Sequence, residues 1–313
     1  MRAVWRYAAT LAFSCSMASA ALAQDAEPGA GLEIGVRYWL STGETSTSHD
    51  ASSGTCFGVP CGNPTSTLTY DQLNASSVEL YARKRFGEQW FVKGNAGIGV
   101  VPNGRLIDQD FVVNQLLVLE SVSGLSGKLY YATIDVGREI WKSGNTSVGL
   151  FLGYQRWNER LDAYGISNTG NAVLSFPPPL PGDNVPVISN ERIWDSARLG
   201  VEWRSQRGRT RFQGELAFVP YASYRNEDSH WLRQNTLGPS PNIIATGHGT
   251  GYQFEVELRR SYPDFFGLEF GVGYRAWRLA SSKGEMTFVG GTFPVVDLGS
   301  ERQGVTFTVS KTW

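Results

Sequence analysis

Val305-Thr306-Phe307-Thr308-Val309-Ser310-Lys311-Thr312-Trp313 ends the sequence, and its alternation decides the fold. In an extended strand, side chains two apart share a face. Val305, Phe307 and Val309 therefore form an apolar row, and Thr306, Thr308 and Ser310 a polar one. The pattern recurs upstream. Tyr252, Phe254, Val256 and Leu258 alternate with Gln253, Glu255, Glu257 and Arg259. Leu268, Phe270, Val272 and Tyr274 alternate with Glu269, Gly271, Gly273 and Arg275, and Ile34, Val36, Tyr38 and Leu40 with Glu33, Gly35, Arg37 and Trp39. A soluble sheet also alternates, but its buried face is the apolar one. Charged rows on strand after strand fit a barrel with lipid outside and a hydrated, charge-paired interior. Trp313, a terminal aromatic, is read as a targeting feature for barrel insertion.

Composition agrees. With 28 Lys+Arg against 29 Asp+Glu, the formal net charge of −1 excludes a nucleic-acid binder that works by bulk charge. A mean hydropathy of −0.23 excludes a bundle of membrane helices. The 36 glycines, 10 tryptophans, 13 tyrosines and 16 phenylalanines exclude a disordered chain.

Residues 1–23 read as a secretory signal: Arg2 and Arg6, then the apolar Tyr7 to Met17, then Ala21-Leu22-Ala23 before Gln24. Residues 24–313 are the mature domain, and no later run reaches the ~18 apolar residues of a membrane helix. Any span is made of strands. Short breaks occur at Gly87-Glu88, Lys142 to Asn145, Gln206 to Thr210 and Pro263 to Phe266. Long polar stretches lie between them: Thr42 to Thr67, Asp110 to Lys128, Ser167 to Val187, Trp231 to Gly247, and Val289 to Ser300. The expectation is an all-β, ten-stranded antiparallel transmembrane β-barrel with five long extracellular loops and short periplasmic turns. Its place is the outer membrane of a Gram-negative bacterium, as a monomer. Cys56 and Cys61, close together in an exported Gly/Pro-rich loop, are expected to form a disulfide that pins a loop tip.

Ionisable residues cluster at one rim. Near the outer end of the third strand lies Leu106-Ile107-Asp108-Gln109-Asp110, and near that of the seventh Arg225-Asn226-Glu227-Asp228-Ser229-His230-Trp231. Asp108 and Asp110 share a face, as do Asp228 and His230. These runs resemble the omptins, ten-stranded outer-membrane endopeptidases with Asp-x-Asp on the third strand and Asp-x-His on the seventh. Gly153-Tyr154-Gln155 and the sixth strand from Asn190 to Trp203 look similar as well.

The resemblance implies an aspartic-type endopeptidase acting on peptides or protein segments outside the cell. His is the side chain whose ordinary pKa suits a base near neutrality. Asp228 would orient His230, Asp108 and His230 would hold and activate a water, and Asp110 would support them. No metal or organic cofactor is implied, though lipopolysaccharide would serve as activator, its phosphates held by Arg156, Arg160 and Arg192, unless these arginines pair instead with Glu159 and Glu191 on the rim; outer-membrane lipid is the further partner. Omptins commonly prefer a basic residue before the cut, read by acids in the groove. Asn226 and Thr47 stand where those acids are expected, and Glu44 and Glu227 are the nearby substitutes for substrate binding.

Parity makes a further demand. Strict alternation from Val92, Ala96 and Ile98 turns Asp108 and Asp110 toward lipid, and Phe212, Leu216 and Phe218 do the same to Asp228 and His230. One bulge in each strand restores the inward direction, and Pro102-Asn103-Gly104 and Pro220 are the places for them. The rival reading is a non-catalytic barrel, an adhesin or a narrow pore.

Overall fold

The computed structural model describes residues 31–281 and 283–313; the signal segment lies outside them. Ten long strands form the wall: β1 (Leu32–His49), β2 (Val59–Phe86), β3 (Trp90–Val112), β4 (Leu116–Ser143), β5 (Thr146–Asn168), β6 (Pro186–Arg207), β7 (Thr210–His230), β8 (Ile243–Tyr262), β9 (Leu268–Ser281) and β10 (Gly291–Thr312). Each pairs antiparallel with the next, and β1 closes the ring against β10, with Glu33 opposite Thr312. A short piece, Gly284–Phe288, continues β9 upward between β8 and β10. Another, Thr55–Cys56, folds back on Val59 and Pro60, and the Cys56 and Cys61 sulfurs are bonded there.

The outward row is apolar across one band of the wall. Leu40, Ile98, Ile134, Leu152, Leu216, Leu258 and Phe307 are all exposed there. Trp90, Trp141 and Tyr262 edge the band toward the tight turns, and Tyr130, Tyr154 and Tyr221 edge it on the other side. An apolar band between two aromatic girdles is the surface a bilayer requires of a barrel.

Inside the band the side chains cross the lumen and pair. Arg37 meets Glu79 at 2.6 Å and Glu255 at 2.9 Å, Arg83 meets Glu202 at 2.6 Å, and Arg198 meets Asp135 at 3.0 Å. Above them lies an aromatic layer. Trp157 stacks on Tyr131 at 5.1 Å between ring centres and meets Trp277 edge-on at 4.7 Å. A Cβ on Gly97 would collide with the Tyr131 ring, so only glycine lets that ring lie against the wall. The lumen is thus filled across these two layers, with cavities of about 80 and 30 Å³ among their side chains, while a larger one of about 650 Å³ lies at the tight-turn end beside Glu33, Arg204 and Arg211.

A strand needs ~10 residues to cross a membrane, and β2 and β4 have 28 each. The strands project well beyond the band on one side. Three stretches expected as loops, Thr42–Thr67, Asp110–Lys128 and Val289–Ser300, are therefore largely strand. Above the membrane neither face touches lipid, so the apolar period is absent although the hydrogen-bonded ladder continues. Among the described residues, the long connections outside the strands are 169–185, which is irregular, and 231–242, which carries the short helical turns Trp231–Arg233 and Gln234–Leu237.

Two irregularities redirect the upper wall. On β3, Val101 faces Gly127 and Gly104 faces Leu125, so three steps match two on β4. On β7, Val219 faces Gly251 and Ala222 faces Gly249, again three against two on β8. Each is a one-residue bulge, at Pro102-Asn103 and at Pro220-Tyr221. Below them the odd-numbered residues Phe91, Gly97 and Val101, and Gln213, Ala217 and Val219, are buried. Above them the buried row is even: Leu106 on β3, and Ala222, Tyr224, Asn226, Asp228 and His230 on β7.

Candidate functional site

The shifted parity brings Asp108 and Asp110 inward from β3, and Asp228 and His230 inward from β7. All four stand above the apolar band, where the outward neighbours on β7 are Ser223, Arg225 and Glu227 rather than Leu216 and Phe218. Tyr70 of β2, wholly buried, crosses the mouth and donates its hydroxyl to Asp228 Oδ1 at 3.2 Å. Tyr70 sits opposite Leu106 in the ladder, one inward step below Asp108. The two halves of the candidate site thus face one another over a single phenol.

Asp228 is held by three donors. Asn190 Nδ2 bonds Oδ1 at 2.7 Å and Asn226 Nδ2 bonds Oδ2 at 2.8 Å, beside the Tyr70 hydroxyl. No hydrogen bond joins Asp228 to His230 among the described residues. The His230 backbone is clasped by Asn242, whose Oδ1 accepts from the amide at 3.0 Å. Its ring Nε2 is buried without a hydrogen-bond partner among the described residues.

Burial comes first in setting the charges here. It pushes Asp108 up to about 7, helped by the Asp110 and Asp228 carboxylates and opposed by Arg233. Asp110 is raised by burial too, against the pull of Arg233 and the Ser66 hydroxyl. Two like carboxylates close together cannot both ionise freely, so they share a proton near neutrality. Burial, then the Arg233 charge, pushes His230 down to about 4. Burial also raises Asp228, while Asn190, Arg192, Asn226 and Tyr70 pull it back. The result is a neutral imidazole opposite a carboxyl pair that holds one proton. Such a set can polarise and deprotonate a water between them.

Several expected residues stand elsewhere. Glu44 is exposed on the outer face, opposite Glu301, because β1 runs without a bulge against β10 from Glu33 to Ser48 and keeps the parity of Tyr38 and Leu40. Glu227 also faces out, paired with Arg225, on the odd row above the β7 bulge. Neither enters the groove. Arg192 corrects a third expectation: it shares the inward parity of Trp194, is fully buried, and cannot meet lipid. Asn226 does lie inside, buried between Arg192 and Asp228. Arg156 and Arg160 are on the outer wall above the band, paired with Asp195 at 3.2 Å and Glu191 at 2.8 Å. The other histidines are apart from the site. His49 packs edge-on against Phe288, and His248 stacks on Tyr221.

Tyr70, Asn190, Asn242 and Arg233 were not singled out from the sequence. Asn190 had a signal, since it shares parity with Trp194 and lies opposite Asp228 in the ladder. Arg233 had none, because it sits in the short 3-10 turn Trp231–Arg233 that follows β7.

The sequence matches no protein-family model and no curated protein. Among solved structures, the fold is similar to outer membrane protease OmpT from Escherichia coli, with a TM-score of 0.66 and 13% identity over 90% of this chain and 96% of that one. The translocator domain of autotransporter NalP from Neisseria meningitidis overlaps far more loosely, with a TM-score of 0.35 and 10% identity over 98% of this chain and 97% of that one. At such identities the likeness concerns fold alone. Fold and apolar band together make this chain an outer-membrane β-barrel.

Proposed function

We propose that this barrel is an endopeptidase that hydrolyses peptide bonds at its extracellular mouth. One observation carries the reading: two separate bulges turn Asp108, Asp110, Asp228 and His230 off the lipid face and gather them above a filled lumen. Strand irregularities that re-aim side chains in this way are characteristic of working sites.

In this reading a water lies between Asp108 and His230. The neutral imidazole takes its proton as the oxygen attacks the scissile carbonyl. The imidazolium returns that proton to the leaving amine as the C–N bond breaks, leaving an acid and an amine. Asp228, on the same face of β7, stabilises the imidazolium through its field rather than by a direct bond. Asp110 keeps a proton shared with Asp108, so the oxyanion meets no second full negative charge. The OmpT-like fold supports this assignment without deciding it. Lipopolysaccharide is the proposed activator, with Arg156 and Arg160 as the outward cations for its phosphates. The substrate is a peptide or an exposed segment of a protein, met by a monomer.

The adhesin reading draws on one observation, the commitment of both Asp228 oxygens to donors other than His230. A pore is opposed by the cross-lumen ion pairs and the aromatic layer. Incubation of the refolded barrel with a mixed peptide library, with and without lipopolysaccharide, separates the readings. The peptidase yields defined fragments; a folded barrel that leaves every peptide intact favours adhesion.

A further inference from the structure

Arg192 stands apart from the other buried arginines. Arg37, Arg83, Arg198, Arg259 and Arg302 each contact a carboxylate, whereas Arg192 forms no salt bridge among the described residues. Its guanidinium spends its donors on neutral acceptors. Nη1 reaches the Ser46 carbonyl at 3.0 Å and the Gly299 carbonyl at 2.7 Å, and Nη2 bonds Thr47 Oγ1. Nε donates to Asn226 Oδ1 at 2.8 Å.

That last bond has a consequence for Asp228. An asparagine amide offers an oxygen on one side and an NH2 on the other. Arg192 Nε and Asn190 Nδ2 both donate to Asn226 Oδ1, so Asn226 Nδ2 is forced toward Asp228 Oδ2. A flipped amide would set two donors against an NH2 and a carbonyl oxygen against a carboxylate. Arg192 is thereby linked to Asp228 as an ion pair with an amide inserted between its members.

We propose that Arg192 is a positioning residue for the reaction: through Asn226 it fixes the Asp228 carboxylate and supplies its counter-charge. The inference rests on the peptidase reading for its functional meaning, though the linkage itself is a property of the folded barrel. The charged and titratable groups facing Asp228 are Tyr70 from β2, Asp108 from β3, Arg192 from β6 and His230 from its own strand, with Arg233 beyond them.

The test is titration of Asp228 by carboxyl-carbon NMR in the refolded barrel, its signal assigned by loss in Asp228→Asn. This readout does not need activity, so it stands even where the barrel cleaves nothing. Arg192→Met and Asn226→Leu should each raise the Asp228 midpoint by about one pH unit or more, as loss of a close opposite charge or of a donor does. Arg192→Lys, which keeps the charge but not the fork, should fall between them and wild type. Where cleavage is measurable, the acid limb of its pH profile should move with the NMR midpoint. An unchanged midpoint in folded Asn226→Leu, or in folded Arg192→Met, overturns the proposal.

Discussion

The barrel has two interiors, one within the membrane band and one above it, and they treat charge in opposite ways. Within the band cations and carboxylates are matched at contact distance, as Arg37 is with Glu79 and Arg275 with both Glu79 and Glu255 at 2.7 Å. Above it, among the described residues, Arg192 meets only neutral acceptors, Asp108 and Asp110 crowd each other, and His230 Nε2 has no partner. Buried charge is tolerated in the first region because each loss of hydration is offset by a partner. In the second the groups are held by neutral donors and acceptors rather than by direct ion pairs, which shifts the charge states of the groups that could work on a water. The contrast separates a structural polar core from a site.

Four perturbations break or sharpen that contrast. The largest effect belongs to deletion of Glu227. With the Pro220 bulge kept, loss of one residue above it flips every side chain beyond, and Asp228 and His230 turn outward. Cleavage should fall to background in a barrel that still shows β-sheet circular dichroism. Next is Arg37→Met, which strands Glu79 and Glu255 beside only Arg275. Urea titration should show a loss of about 3 kcal/mol, as when one partner of a buried pair is removed.

The third reverses sign. Asp108 holds its proton up to about 7 in the folded barrel, but only to the ordinary carboxylate range when unfolded. Between those values the folded state binds more protons, so stability falls as pH rises and stays low above 7. His230, depressed to about 4, contributes the opposite slope between there and its ordinary value. Asp108→Asn should therefore stabilise the barrel at pH 8, by on the order of 2 kcal/mol, while abolishing cleavage. The smallest effect is that of Arg156→Ala with Arg160→Ala. These exposed pairs contribute about 0.5 kcal/mol or less to stability, and the double variant should differ from wild type only in a weaker response to lipopolysaccharide.

Much of the band was legible in the sequence, because lipid on one side and a charged lumen on the other impose strict alternation. The two bulges were legible too, from the conflict between that alternation and the motif residues, with Pro102 and Pro220 at the points of relief. The long strands above the membrane were not, since a polar ladder with no lipid-facing side has no apolar period. Arg192 was misplaced on the lipid side although Trp194 and Arg198 share its parity and point inward. Glu44 and Glu227 were drawn toward the groove by nearness in sequence, when one residue of parity put each on the opposite face. Tyr70 was invisible for a simpler reason: it reaches Asp228 from another strand across the barrel.

The most direct measurement compares peptide-library cleavage by the refolded wild type with that by Asp108→Ala and His230→Ala, in lipopolysaccharide and with folding checked by circular dichroism. The account predicts that each variant loses at least about 100-fold in rate, the usual worth of a positioned acid or base, while the barrel stays intact. Fragments produced equally well by wild type and both folded variants would contradict it.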